Sequence, residues 1–125
     1  MRFSLNIPEQ KFKSILESIG FVVKFFSQKT TIDPLNCFYA EFPFENMILD
    51  FALIKSKLAI EIYGEYWHGL KTVITPRQAE KRIQDAKKKL ILSKNKWELI
   101  EIPSLSINKI TKNRIRKQIL NLLVV

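Results

Sequence analysis

A single cysteine, Cys37, and a single histidine, His68, stand in the 125 residues. The first excludes an internal disulfide and any cysteine-built zinc site, and the second excludes a histidine-rich metal centre. With only three glycines, neither a GxGxxG turn nor a phosphate-cradling P-loop can be written. No apolar run approaches the ~18 residues of a membrane span. The opening MRFSLNIPEQKFK has no apolar core and no small-residue cleavage site of a secretory leader, so a cytoplasmic location is expected. Repeats, low-complexity tracts and linkers are absent too. At 46% hydrophobic residues the chain is too apolar for intrinsic disorder, and its length suits one domain, 1–125, with its own core.

Charge is plentiful and unevenly spread. Residues 1–70 hold 7 basic and 8 acidic side chains, whereas residues 71–125 hold 14 basic and 4 acidic ones. A face this basic suits a polyanion, with nucleic acid first among candidates because neutralised phosphates release counterions; the plainer explanation is a solvated basic surface.

Periodicity predicts a mixed α/β domain around a small sheet. Residues 8–19 carry Phe12, Ile15, Leu16 and Ile19 at helical spacing, with Pro8 in the first turn and Gly20 at the stop. Residues 21–26 read as a buried strand or a connection into the sheet, and a short strand is expected around 38–42. Residues 47–54 and 57–63 form a hairpin about Lys55-Ser56, and residues 64–75 form a loop. Thr75, Pro76 and Gln78 open a helix over 76–95, whose apolar stripe is Ala79, Ile83, Ala86 and Leu90. A strand over 97–102 and a basic amphipathic helix over roughly 106–123 complete the chain.

The hairpin holds the most informative pattern. A two-residue turn at Lys55-Ser56 opposes Asp50 to Glu61 and Ala52 to Ala59 on one face, with Cβ atoms about 4.5–5.5 Å apart. The other face is apolar, Leu49, Phe51 and Leu53 against Leu58, Ile60 and Ile62. Opposed carboxylates call for a shared proton or a shared cation. A hard ion such as Mg²⁺ (or Mn²⁺) takes one or two carboxylates plus waters and phosphate oxygens, and the Ile62 carbonyl offers one more oxygen. Lys-Ser is a poor two-residue turn, however, and a longer loop would slip the register and separate the acids.

Around this pair stand further candidates. His68, just past the strand end, has a side chain that titrates near pH 6.5 and suits a general base, or is simply a surface histidine. Tyr66 and Trp67 suit stacking on bases or capping the sheet edge. On the 76–95 helix, Gln78, Arg82, Asp85 and Lys89 form a polar stripe that can turn toward the acids, Asp85 to orient His68 or bind metal, Arg82 and Lys89 to hold phosphate. Lys81, Lys87, Lys88 and Lys94 are expected to point elsewhere and track backbone phosphates, or in the case of Lys81 and Lys94 to form helical ion pairs. Glu9 borders the apolar stripe of the first helix and either leans over the sheet or serves as a favourable first-turn acid.

The run LDFALIKSKLAIEIYGEYWHG, followed by R–x–x–D–x–x–K and KWELIEI, resembles the PD-(D/E)XK, restriction-endonuclease-like, nuclease superfamily. Within it the chain is most similar to very-short-patch-repair endonucleases and their relatives. These include homing endonucleases with a Glu–Asp–x–His–Asp constellation and a bacterial branch with an IE-x-DG-x-x-H-like run. The resemblance covers about residues 8–102, most strongly 49–69. It implies an αβββαβ core with an extra C-terminal basic helix, and Mg²⁺-dependent hydrolysis of DNA. Duplex, nicked, mismatched or branched DNA are all admitted as partner, as is a homodimer.

By motif, Asp50 and Glu61 become the metal-binding acids, His68 the base, Asp85 the helix acid, Glu9 the first-helix glutamate, and Tyr66 and Trp67 the duplex-contacting aromatics. Two departures stand out. The motif lysine is replaced by Tyr63, leaving Lys88, Lys89 or His68 to fill its role, and the repair-type zinc site cannot be built, so mismatch specificity does not follow. A structure-selective nuclease such as a Holliday junction resolvase, a non-catalytic nucleic-acid-binding module of the same fold, and a piece of a larger homing or restriction system are the rival expectations.

Overall fold

The computed structural model describes residues 5–27, 36–63, 75–104, 107 and 112–123. Five strands form one mixed sheet in the order β1-β2-β3-β4-β5. They are β1 (Val22–Phe25), β2 (Cys37–Phe44), β3 (Met47–Leu53), β4 (Leu58–Tyr63) and β5 (Glu98–Pro103). The outer pairs β1–β2 and β4–β5 are parallel and the inner two pairs antiparallel. Helices α1 (Ile7–Ser18), α2 (Pro76–Lys94) and α3 (Lys112–Leu123) complete the fold. The αβββαβ core is therefore present, with β1 added at one edge and α3 after β5. The described part of the last helix is shorter than the expected 106–123. Among the described residues, no helix is long and apolar enough to cross a membrane.

The helix starts follow from the sequence. Asn6 accepts the Glu9 N–H at 2.9 Å while the Glu9 carboxylate accepts the Asn6 N–H, also at 2.9 Å. Thr75 and Gln78 repeat the exchange at the head of α2. Phe12 and Leu16 of α1 and Ile115 and Ile119 of α3 are buried against Phe51, Leu53, Leu58 and Ile60, which form one apolar face of the central hairpin.

The hairpin turn differs from expectation, although its register does not. Ile54–Ser56 make a 3₁₀ turn and Lys57 takes a left-handed conformation at φ 51°, its N–H bonding the Ile54 carbonyl at 3.1 Å. Lys-Ser lacks the Asn or Gly that a tight primed turn requires, so the chain closes right-handed and uses one left-handed residue to re-enter the strand. The pairs Phe51–Ile60, Ala52–Ala59 and Leu53–Leu58 result, as a two-residue turn would have set them.

Two facial assignments are corrected. Leu49 does not share the face of Phe51 and Leu53; it packs with Ala52, Ala59 and Leu92 on the α2 side. The change comes where the β2–β3 pairing is interrupted between Ala40–Phe51 and Phe42–Leu49, with Glu41 at φ 55°, and Phe42 lies on the same side as Leu49.

The stripe Ala79, Ile83, Ala86 and Leu90 was expected to face the core, yet it faces solvent. Ile83 is 57% and Leu90 55% exposed, while Gln78 and Leu92 are buried. Beneath α2 the acid pair lies beside the apolar Leu49, Ala52 and Ala59, on which Leu92 packs. The helix accordingly turns its ammonium groups inward and forgoes the burial of two large aliphatics, about 1.5–3 kcal/mol apiece.

Candidate active site

β3 and β4 part company at the acids. Their backbone ladder runs from Leu53–Leu58 to Phe51–Ile60. Past that point β3 continues on β2 through Leu49, Ile48 and Met47, while β4 continues on β5 through Glu61, Ile62 and Tyr63. Carboxylates span the fork. The Asp50 N–H donates to Glu61 Oε2 at 2.6 Å, and the Ile62 N–H donates to Asp50 Oδ2 at 2.8 Å. Each acid thus takes up a backbone donor of the opposite strand, which fixes both head groups at the mouth of the fork.

The α2 helix closes the other side. Lys88 Nζ bonds Glu61 Oε1 and also donates to the Ile48 carbonyl at 3.1 Å, pinning α2 to both arms of the fork. Lys81 pairs with Asp85 at 3.3 Å, and Lys89 with Glu101 at 3.1 Å. Together with Asp50, Glu61, Ile62 and Tyr63 these groups line a cleft of about 210 Å³.

Burial governs the electrostatics of the acid pair. The Asp50 carboxyl is pushed up from 3.8 to about 8, first by burial, then by the neighbouring Glu61 carboxylate and by Glu9; the Ile62 N–H and Lys88 offset only part of this. The shift favours the protonated form of the Asp50 carboxyl at neutral pH. Glu9 is buried and both caps α1 and presses on Asp50, so the two roles left open by the sequence coexist in one side chain.

Among the described residues, no group of three His, Cys, Asp or Glu side chains is placed to hold a metal. Two carboxylates, Asp50 and Glu61, are what the fork offers, and that is the donor count a hydrated Mg²⁺ accepts when substrate oxygens complete its shell.

Several expectations are resolved by this arrangement. The cleft receives Lys81, Asp85, Lys88 and Lys89, whereas Arg82 does not line it. Lys88, expected to point away, is instead the residue that meets Glu61, because α2 is rotated by its exposed apolar stripe. Tyr66, Trp67 and His68 lie outside the described residues. Glu101 is a cleft residue that the sequence reading missed. Its signal was the tripeptide Ile-Glu-Ile, present in both β4 and β5, which parallel pairing aligns so that Glu61 lies beside Glu101.

No family model and no curated protein matches the chain. A solved structure does. The fold resembles that of the Homing Endonuclease I-Bth0305I Catalytic Domain. The two share a TM-score of 0.61 at 22% identity, over 96% of each chain. A likeness at this identity speaks for the shared α/β architecture, in which the forked hairpin and its covering helix are set.

Proposed function

We propose that this chain is a metal-dependent DNA endonuclease of the PD-(D/E)XK type, close to the very-short-patch-repair and homing branches. The observation that carries the reading is the meeting of Asp50 and Glu61 across the β3–β4 fork, with the Lys88 ammonium on Glu61. The fold it shares with a homing endonuclease catalytic domain and the 14 basic residues after position 70 support DNA as substrate.

In this reading Asp50, Glu61 and the Ile62 carbonyl hold Mg²⁺ or Mn²⁺. The bound ion supplies a more acidic water and neutralises charge developing on the phosphate. Lys88, entering from α2, takes the part of the motif lysine whose strand position is occupied by Tyr63, and offers its ammonium to a phosphate oxygen beside Glu61. Lys89, on the rim of the same cleft, steadies the backbone of the DNA. His68 as the proton acceptor, Asp85 as its orienting partner, and Tyr66 and Trp67 as duplex contacts rest on the sequence resemblance. In the structure Asp85 holds Lys81.

Supercoiled plasmid incubated with Mg²⁺ tests the proposal. The native chain is expected to nick it, EDTA to stop the reaction, and Asp50→Ala to reduce it to background. Undiminished nicking by Asp50→Ala would remove this site, and salt-dependent binding without any cleavage would leave a non-catalytic DNA-binding domain.

A further inference from the structure

Beside the acid cleft lies a second groove of about 460 Å³, between α2 and the turn that joins β2 to β3. Lys81, Asp85 and Lys88 line both spaces, so the two adjoin across these side chains. The composition of the groove is distinct. Its half-buried surface includes the apolar Met47 and Ile91. Two exposed amides, Asn46 on the turn and Gln84 on α2, approach from opposite walls. Lys87, exposed, adds an ammonium at the rim beside Lys81 and Lys88. Lys81 and Lys88 are paired with Asp85 and Glu61, so Lys87 is the ammonium left for a phosphate, and apolar surface, amides and ammonium are the elements that base, base edge and phosphate respectively require. The volume lies within the range of small-ligand pockets and accommodates one nucleotide.

We propose that this groove is a nucleotide subsite, seating an unstacked nucleotide of the strand adjacent to the scissile phosphate, with Asn46 and Gln84 on its base edge and Lys87 on its phosphate. It rests on the reading of the cleft as a nuclease site but uses no residue of the acid fork for recognition. An amide pair reading one base edge makes the site selective for base identity at a single position, which ammonium groups alone do not provide. The exposed side chains that form it are free of structural duties in the core, so their loss leaves the fold intact.

The test is fluorescence anisotropy in EDTA with a labelled single-stranded oligonucleotide and with the same oligonucleotide carrying a tetrahydrofuran abasic position in place of each nucleotide in turn. The double variant Asn46→Ala/Gln84→Ala is expected to weaken binding of the intact strand by about tenfold. One abasic position is expected to abolish the difference between variant and native chain. Lys87→Ala is expected to weaken intact and abasic strands alike, by a few-fold, with a shallower salt dependence. Asp50→Asn is expected to bind as the native chain or more tightly. An equal loss for all strands in the double variant, or no loss, would overturn the subsite. Failure of cleavage with the base-dependent binding retained would instead overturn the nuclease reading and leave the groove standing.

Discussion

Replacing Asp50 by Asn is expected to make the metal-free protein more stable at neutral pH. The asparagine oxygen can still accept the Ile62 N–H, so the hydrogen bond at 2.8 Å survives while the charge is gone. Asp50 titrates near 3.8 when the chain is unfolded and at about 8 in the fold, held up by burial and then by Glu61 and Glu9. Below about pH 4 both states carry the proton and the carboxyl costs the fold nothing. Between about 4 and about 8 the unfolded chain has released the proton and the folded chain still binds it, so stability falls by up to about 1.4 kcal/mol per pH unit. Above about pH 8 both are ionised and the cost levels off.

With relaxation of the site allowed for, the Asn variant gains on the order of 2–4 kcal/mol at pH 7, or about 8–15 °C in Tm. The gain should shrink toward zero near pH 4. Thermal denaturation of both proteins in EDTA from pH 4 to 8.5 measures it. A Tm difference that is flat with pH, or of opposite sign, contradicts the electrostatic account of the fork. The native chain therefore carries instability at the very carboxyl that the proposed chemistry needs, a common arrangement at functional sites.

Removal of Lys88 should act in the other direction on stability and the same direction on activity. Lys88 is Glu61's ammonium partner and bonds the Ile48 carbonyl; its side chain is 22% exposed and that of Glu61 13%. Lys88→Met keeps the length and the apolar stem but leaves Glu61 without its cation beside Asp50. The expected cost in EDTA is on the order of 1–3 kcal/mol, less than for a fully buried pair because water reaches both groups. Saturating Mg²⁺ is expected to return most of it, since an ion bound only to the folded state stabilises by mass action.

Cleavage is expected to fall by about 100-fold and to stay low at high Mg²⁺, because the lost ammonium addresses the phosphate rather than the ion. Lys88→Arg should recover the stability more fully than the rate. Equal recovery of both, or a rate unaffected by Lys88→Met, argues against a role for Lys88 beyond pairing. The measurements are paired melts and single-turnover nicking rates.

Much of the fold was legible because local signals agreed with tertiary need. The α1 stripe and the capping box of α2 are local signals with one reading, and of the two hairpin registers left open, the one that opposes Asp50 to Glu61 survived an incorrect turn type. Longer-range features were hidden. Leu49 changes side where the β2–β3 pairing is interrupted opposite a left-handed Glu41, and nothing near Leu49 in the sequence announces it.

The orientation of α2 misled for a physical reason. Amphipathicity indicates the core face only when the whole surface underneath is apolar, and here Leu49, Ala52 and Ala59 share it with the acid fork. The same rotation brought Lys88 to Glu61 and left Arg82 out of the cleft. The acid pair itself was legible as a spacing. What the sequence does not show is that the strands separate there, so that side chains rather than backbone carbonyls take the N–H groups of Asp50 and Ile62.

The most direct measurement is calorimetric titration of the metal-free protein with Mn²⁺ near pH 7, repeated in buffers of different ionisation enthalpy. The native chain is predicted to bind one ion with release of about one proton, the proton that Asp50 holds in its absence, and Asp50→Asn and Glu61→Gln to lose that binding. Saturable binding of equal strength in both variants, or none in the native chain, would contradict the account.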